Sequence, residues 1–260
     1  MASVRQTANG RKPETGGQIV EKGDIAFFYR PRVGADEAEG IGDIQRFFMV
    51  LKPEDGDRFR LTVLGRKRLP EVGSHERIWG FIDKVARSPS EIEAELREQH
   101  YETKTRGRRT VAAARPAGEG VYALVQFDRS LHLTYELELP EQPGEVQEEL
   151  NIPHKGAYIL SVKNPEKPAP PGVGLREEEE AQYPRPLQRE FSGRRFATAD
   201  PRLLDYAGAE FILIGARTDP ERAYGLAIDA EHETARKAGL FRQLKMSHRP
   251  LEPLIEGEWR

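Results

Sequence analysis

The sequence predicts an α+β fold in which strands dominate. We expect an N-terminal unit of antiparallel hairpins with one or two helices, followed by a smaller α/β segment at the C-terminus. Three observations lead to this class. Most apolar residues fall in short runs or strict alternation, which is the pattern of strands. One clear helix start stands among them, and a stretch rich in proline and glutamate separates the two parts.

The length and composition set the domain map. A chain of 260 residues forms one domain of the largest ordinary size or two small ones. We divide it into a flexible tail at 1–21, a β-rich domain at 22–164, a Pro/Glu-rich linker or long loop at 165–186, and a smaller α/β segment at 187–260. With 37% hydrophobic and 8% aromatic residues, the composition indicates a folded soluble protein.

Several classes of protein are disfavoured at once. The chain has no cysteine, which excludes disulfides, thiolate catalysis and Cys-ligated metals and fits a cytoplasmic protein. No apolar run approaches the roughly 18 residues of a membrane span, and residues 1–17 lack the apolar core of a secretory signal, so we expect no membrane partner. The net charge of -3 argues against whole-protein attraction to nucleic acid, so any anion site must be local.

The predicted strands of the first half begin with the apolar run 25–29, which ends at Pro31 and has the profile of a strand buried on both faces. Residues 47–51 and 59–64 form a hairpin, because Pro53 and Asp55-Gly56 between them are turn residues. In its second arm Phe59–Leu64, apolar residues alternate with Arg60 and Thr62, so one face is core and the other polar and basic. Residues 78–85 give a further strand.

A helix is predicted from Ser88 to about residue 99, because Ser88, Pro89 and Glu91 occupy the N-cap, N1 and N3 positions. A second hairpin joins 121–127 to 131–139, and 157–162 is another strand. In the C-terminal segment, Asp200 and Asp219 each precede proline in the manner of an N-cap. They flank an apolar strand at 211–214, and a last helix is expected over 230–245.

Two groups of basic residues suggest an anion site. Residues 103–117 read as a loop with five cations and no acid, and Gly107 within it allows close approach of backbone to a ligand. The polar face of the 59–64 strand continues the positive charge. The predicted ligand-binding residues are Arg58, Arg60, Lys104, Arg106, Arg108 and Arg109. The alternative is a solvated loop that pairs with the acidic residues Asp36, Glu37 and Glu39.

A polar row on the 131–139 strand offers an alternative site. His132, Thr134, Glu136 and Glu138 share one face at steps of about 7 Å. A histidine and two carboxylates could act as acid–base groups or bind a divalent metal. An ordinary solvent-facing row on a half-buried strand is the reading we favour, because no further ligand stands at metal-site spacing. We therefore predict no metal site.

No Walker loop, dinucleotide fingerprint, His-Glu-x-x-His or Gly-x-Ser-x-Gly motif is present. We therefore expect a cytosolic binding module without a cofactor, whose partner is RNA, a nucleotide or another phosphorylated ligand. One alternative is an enzyme that acts on an anionic substrate through His132, Glu136 and Glu138. Another is a structural or assembly protein whose acidic and basic loops pair between subunits.

Overall fold

The fold is described from a computed structural model, which covers residues 3–6, 17–35, 37–103, 107–197, 200–217, 226–229, 240, 243–244 and 251–260. Strands supply most of the regular structure. In chain order they are β1 (Ser3–Gln6), β2 (Gln18–Pro31), β3 (Ile44–Pro53), β4 (Phe59–Leu64), β5 (Arg77–Ala86), β6 (Gln99–Thr103), β7 (Gly107–Val111), β8 (Arg115–Phe127), β9 (Ser130–Leu139), β10 (Lys155–Lys163), β11 (Phe196–Ala197), β12 (Glu210–Arg217) and β13 (Leu226–Asp229).

The helices are short. They are α1 (Pro89–Leu96), α2 (Glu145–Glu149), α3 (Arg185–Gln188) and α4 (Glu252–Ile255). The helix predicted from Ser88 is α1, with Ile92 and Leu96 fully buried. It ends at Leu96, earlier than expected. The buried guanidinium of Arg30 donates to the carbonyl oxygens of Glu95 and Arg97 there, as a cation at a helix C-terminus should.

Eight antiparallel strands form a closed barrel. The pairing runs β10-β12-β5-β4-β3-β2-β8-β9, and β9 pairs with β10 to complete the circle. The short strand β11 adds to the end of β10. Closure leaves no open edge among the eight, so their backbone groups are paired on both sides. Separate two-stranded sheets are formed by β6 with β7 and by β1 with β13.

The barrel interior is filled by alternate side chains from every strand. Strand β2 contributes Ile25, Phe27 and Tyr29, and β9 contributes Leu131, Leu133, Tyr135 and Leu137. The outer face of β2, β3 and β4 is also buried, because Ile92 and Leu96 of α1 pack on it. This second layer explains why residues 25–29 are apolar at every position, as predicted.

Each end of the barrel is covered by side chains from outside its eight strands. At one end Trp259 packs edge-on against Tyr29, with ring centroids 5.0 Å apart, and the Tyr29 hydroxyl donates to the backbone oxygen of Arg260 at 2.9 Å. The other end, where β2 and β4 begin, is covered by Leu187 and Phe191 from the segment that contains α3. We call the latter the Arg60 end, because Arg60 of β4 is buried there.

The predicted α+β class is wrong. The C-terminal part is not a separate α/β segment, because its strand β12 lies between β5 and β10 and is one of the eight strands of the barrel. The predicted hairpins β3–β4 and β8–β9 are confirmed, as are the strands at 78–85, 157–162 and 211–214. The N-cap at Asp219 and most of the helix predicted at 230–245 lie outside the described residues.

The excursion between β10 and α3 is held on the outside of the barrel by a buried cation. The ammonium of Lys163 lies 2.8 Å from Glu180 and 2.7 Å from Glu210. Glu210 also accepts a hydrogen bond from the backbone of Leu175 at 2.8 Å. Further along, the backbone N–H of Ala181 donates to Gly208. These contacts attach both the middle and the end of the excursion to the barrel wall.

Candidate functional site: an arginine crevice at the barrel end

A crevice of about 540 Å³ opens at the Arg60 end of the barrel. Its first wall comes from strand ends. Arg58 immediately precedes β4 and Arg87 immediately follows β5, and the antiparallel register pairs Phe59 with Ala86, so the two arginines are brought side by side. Antiparallel pairing of β4 and β5 thus brings together Arg58 and Arg87, which are distant in the sequence. The lining is made by Arg58, Val85, Arg87, Pro184, Pro186, Leu187, Arg202, Asp205 and Tyr206.

The second wall comes from the segments that cover this end of the barrel, residues 184–191 and 200–206, which we call the plug. Asp200 caps the short 3-10 helix Pro201–Asp205 by accepting a hydrogen bond from the backbone of Arg202, as the Asp-Pro pair predicts. The same carboxylate holds the guanidinium of Arg202 through its Nε at 2.9 and 3.0 Å. Tyr206 follows, with its ring 5.1 Å from that of Tyr183 in an edge-to-face contact. A capped turn therefore fixes both a cation and a ring.

The crevice is cationic. Of the described residues that line it, three are arginines and one, Asp205, is an acid. The Asp205 carboxylate is shared, because it accepts hydrogen bonds from both Arg58 and Arg60. Arg58 is still 53% exposed and Arg202 68% exposed, while Asp205 is only 10% exposed. Positive groups are therefore open to solvent, and the negative group is largely covered.

Behind Asp205, a buried network fixes this end of the barrel. Arg60 is 2% exposed and donates to both oxygens of Glu21, at 2.6 and 2.9 Å. The hydroxyl of Tyr122 donates to the same carboxylate at 2.8 Å. Burial alone would lower the pKa of Arg60, but the hydrogen bonds and charge of Glu21, with Asp205, raise it above its usual value. Arg60 therefore stays charged inside the barrel.

The structure brings together two of the predicted ligand-binding residues. Arg58 and Arg60 meet at Asp205, although Arg60 is enclosed by its partners and only Arg58 reaches the crevice. Lys104 and Arg106 lie outside the described residues, and of Arg108 only the backbone is described, in β7.

Arg109 is half-buried in β7, which is a strand where the sequence predicted a loop. The hairpin of β6 and β7 is attached beyond the far end of β2, since Gly34 donates to the carbonyl of Thr110 at 3.1 Å. Through Leu51 of β3, Arg60 lies level with Ile25 in the middle of β2. The two basic groups therefore do not form one continuous groove among the described residues.

The polar row of β9 is not solvent-facing, contrary to our expectation. His132, Thr134, Glu136 and Glu138 point away from the barrel interior, yet all four are buried. The sheet of β1 and β13 lies against β8 and β9. Glu136 pairs with Lys155 at 3.0 Å, and the ring of His132 lies edge-on to Phe127. Within the described part of the chain, no group of three or more His, Asp or Glu is placed to hold a metal ion.

Sequence reasoning missed Arg87, Arg202 and Tyr206. The sequence held a signal for Arg87, although we did not use it. The consecutive predicted strands 59–64 and 78–85 pair antiparallel in the structure, which places the residue before the first strand beside the residue after the second. Arg202 and Tyr206 line the crevice because residues 200–206 pack over the end of the barrel. No local sequence pattern encodes this packing.

Among the residues that the structure describes, no helix is long and apolar enough to cross a membrane. No protein-family model matches the chain, and neither a curated protein nor a solved structure is significantly similar to it.

Proposed function

We propose that the protein is a binding module for a phosphate-bearing small molecule, which it holds in the arginine crevice through Arg58, Arg87 and Arg202. The observation that carries this proposal is the convergence of three guanidinium groups on one crevice in a protein of net negative charge. Guanidinium is the side-chain group best matched to phosphate, because its N–H donors can bind two oxygens at once.

The shape of the crevice supports a small ligand. Its volume of about 540 Å³ falls within the range of ordinary small-molecule sites. Pro184, Pro186 and Tyr206 supply the apolar surface that such sites combine with a few polar groups. RNA remains a candidate ligand for this site, entering by a terminal phosphate or one unstacked nucleotide, because the cations converge on a crevice rather than along a groove.

The buried network supports preorganisation. Arg60 binds one side of Asp205, so this carboxylate is already engaged before a ligand arrives and holds Arg58 at the rim of the crevice. Arg202 is fixed in the same way by Asp200. Holding long arginine side chains in place reduces the entropy lost on binding, which is the usual gain from preorganised sites.

Titration calorimetry with pyrophosphate, AMP and a short oligouridylate tests the proposal. Replacing Arg58 and Arg202 by Ser should weaken pyrophosphate binding by at least about 100-fold, since charge-assisted hydrogen bonds contribute about 1.5–3 kcal/mol each. Arg176→Ser is the matched control, because Arg176 is 73% exposed and paired with Glu179 as Arg202 is with Asp200. Equal affinity of the double variant and the control would refute the site.

A second arm of the experiment tests the basic hairpin. The triple substitution Arg106→Ser, Arg108→Ser and Arg109→Ser should leave pyrophosphate affinity unchanged if the crevice is the site. A loss of affinity in this variant, with full affinity in the crevice variant, would move the anion site to residues 104–109. No binding of any of the three probes at low salt would refute the binding module itself.

A further inference from the structure

A second cavity, of about 610 Å³, lies on the outside of the barrel between β5 and residues 170–175, which we call the strap. It is separate from the arginine crevice and shares none of its lining residues. Two aromatic residues of β5, Trp79 and Phe81, form its floor. Their neighbour Gly80 faces the barrel interior, where a Cβ would lie 2.7 Å from Phe211, so strand alternation turns both aromatic rings outward.

Trp79 is unusual in its position. It is half-buried near the start of β5, with its ring 6.1 Å from that of Phe196 on one side. Tryptophan brings a large flat surface with little conformational entropy to lose, which is why it is common where ligands and partners bind. Along the same face, Val63 and Phe81 are also only half-buried. The floor is thus apolar and largely aromatic.

The strap stands over this floor without collapsing onto it. It is anchored at its end, where Leu175 donates to Glu210, and Glu210 is itself paired with Lys163. Gly174 has φ of +99°, and a Cβ there would lie 2.5 Å from Ala169, so the chain can turn this tightly only at glycine. Val173 at its crest is 40% exposed. The anchored turn therefore holds a gap open above Trp79.

The charges that line the gap favour an anion. Arg66 and Arg77 are both exposed and both line the cavity. The acid among the described lining residues is Glu210, whose charge is engaged by Lys163 at 2.7 Å. Glu76, which lies 3.1 Å from Arg66, also binds Arg68. A ligand in the gap would therefore meet aromatic surface below it and guanidinium groups beside it.

From this combination we infer that the strap cavity is a second binding site, which takes a planar aromatic anion. The aromatic ring lies between Trp79 and the strap, and its carboxylate, sulfonate or phosphate binds Arg77 and Arg66. Aromatic surface selects the ring and guanidinium selects the charge. This inference does not depend on the proposed function of the arginine crevice.

The chain contains two tryptophans, which gives the test an internal control. The probes are 2-naphthoate and its neutral analogue 2-naphthylmethanol, titrated into the full-length protein labelled with ¹⁵N. We expect 2-naphthoate to shift the indole N–H signal of Trp79, assigned with Trp79→Phe, and to leave that of Trp259 in place. The neutral analogue should bind at least about tenfold more weakly, because it lacks the charge-assisted hydrogen bonds.

Two strap variants keep the result interpretable, because they change only an exposed side chain. Val173→Glu should weaken 2-naphthoate binding severalfold by placing a negative charge over the cavity. Val173→Gln introduces a neutral side chain of the same size as glutamate and should leave the affinity unchanged. Arg58→Ser with Arg202→Ser should leave 2-naphthoate affinity unchanged. An unmoved Trp79 signal, equal shifts of both tryptophans, equal affinity for the neutral analogue, or no difference between Val173→Glu and Val173→Gln would each overturn the inference.

Discussion

Arg60 and Glu21 form a bidentate ion pair inside one end of the barrel, with N–O distances of 2.6 and 2.9 Å. Glu21 belongs to β2 and Arg60 to β4, with β3 between them. Their side chains therefore cross the barrel end and join strands that are not neighbours. Because Arg60 also binds Asp205, the same pair attaches the plug of the barrel to its wall.

Removing one partner of this pair should be far more costly than removing both. We expect Arg60→Met to lower the free energy of unfolding by about 3–5 kcal/mol, because Glu21 and Asp205 lose the cation between them. The double substitution Arg60→Met with Glu21→Gln should recover part of that loss. Denaturant unfolding measures both. A double variant that is no more stable than Arg60→Met alone would contradict this account.

Five tyrosines should resist ionisation as long as the barrel is folded. Burial raises the pKa of Tyr29 to about 12, and it also raises the pKa values of Tyr122, Tyr135, Tyr158 and Tyr183. A pKa that is higher in the folded state stabilises the fold fully below the unfolded value near 10, and the contribution is lost as pH rises further. Stability should therefore fall from about pH 10 to above 12.

The measurement is absorbance at 295 nm, which reports the phenolate, followed together with circular dichroism. We expect these five phenols to ionise together with the loss of the β-sheet signal rather than near pH 10 in the folded protein. Their reversible titration near pH 10, with an unchanged circular dichroism spectrum, would show that the tyrosine side chains are accessible to solvent.

The Lys163 triad should control the strap. Lys163→Ala leaves Glu180 and Glu210 without their buried cation, so we expect a loss of about 3–5 kcal/mol in unfolding free energy. Lys84→Ala removes a half-exposed pair with Glu95 and should cost less than about 1 kcal/mol. In hydrogen exchange, Lys163→Ala should also accelerate the Leu175 amide. Unchanged exchange at Leu175 would mean that the strap is held by other contacts.

Neighbouring residues of β9 should respond in opposite ways. Leu133 is fully buried in the barrel interior, and Leu133→Ala should destabilise by about 2–5 kcal/mol. Thr134 is also fully buried but on the outer face, and its hydroxyl has no hydrogen-bond partner among the described residues. Thr134→Val should therefore be neutral or stabilising by about 1 kcal/mol. Thermal unfolding compares the two, and a marked loss with Thr134→Val would reveal a partner of the hydroxyl.

The strands could be predicted from the sequence, but the barrel could not. Alternation and turn residues locate a strand and its hairpin partner, because both depend on neighbours in the chain. The insertion of β12 between β5 and β10 joins residue 211 to residue 80, and nothing near either position encodes that pairing. The predicted separation of the C-terminal part failed for this reason.

The same limit applies to the sites. Alternation showed that His132 and Glu136 share a face, but it does not show what covers that face, and both are buried. Arg58 was found because it belongs to a cluster of basic residues. Arg202 stands beside Asp200 and looks like an ordinary exposed ion pair, and only the packing of the plug on the barrel brings it to Arg58.

The position of β12 also bears on how the protein is made. During synthesis β2 to β10 leave the ribosome before β12. Strands β5 and β10 therefore each have one unpaired edge until residue 217 has emerged. Open strand edges are templates for aggregation, and pairings between distant parts of a chain form slowly. Closure of the barrel therefore depends on β12, the last of its eight strands to be synthesised. Premature termination before residue 210 should yield insoluble chains rather than a smaller folded protein.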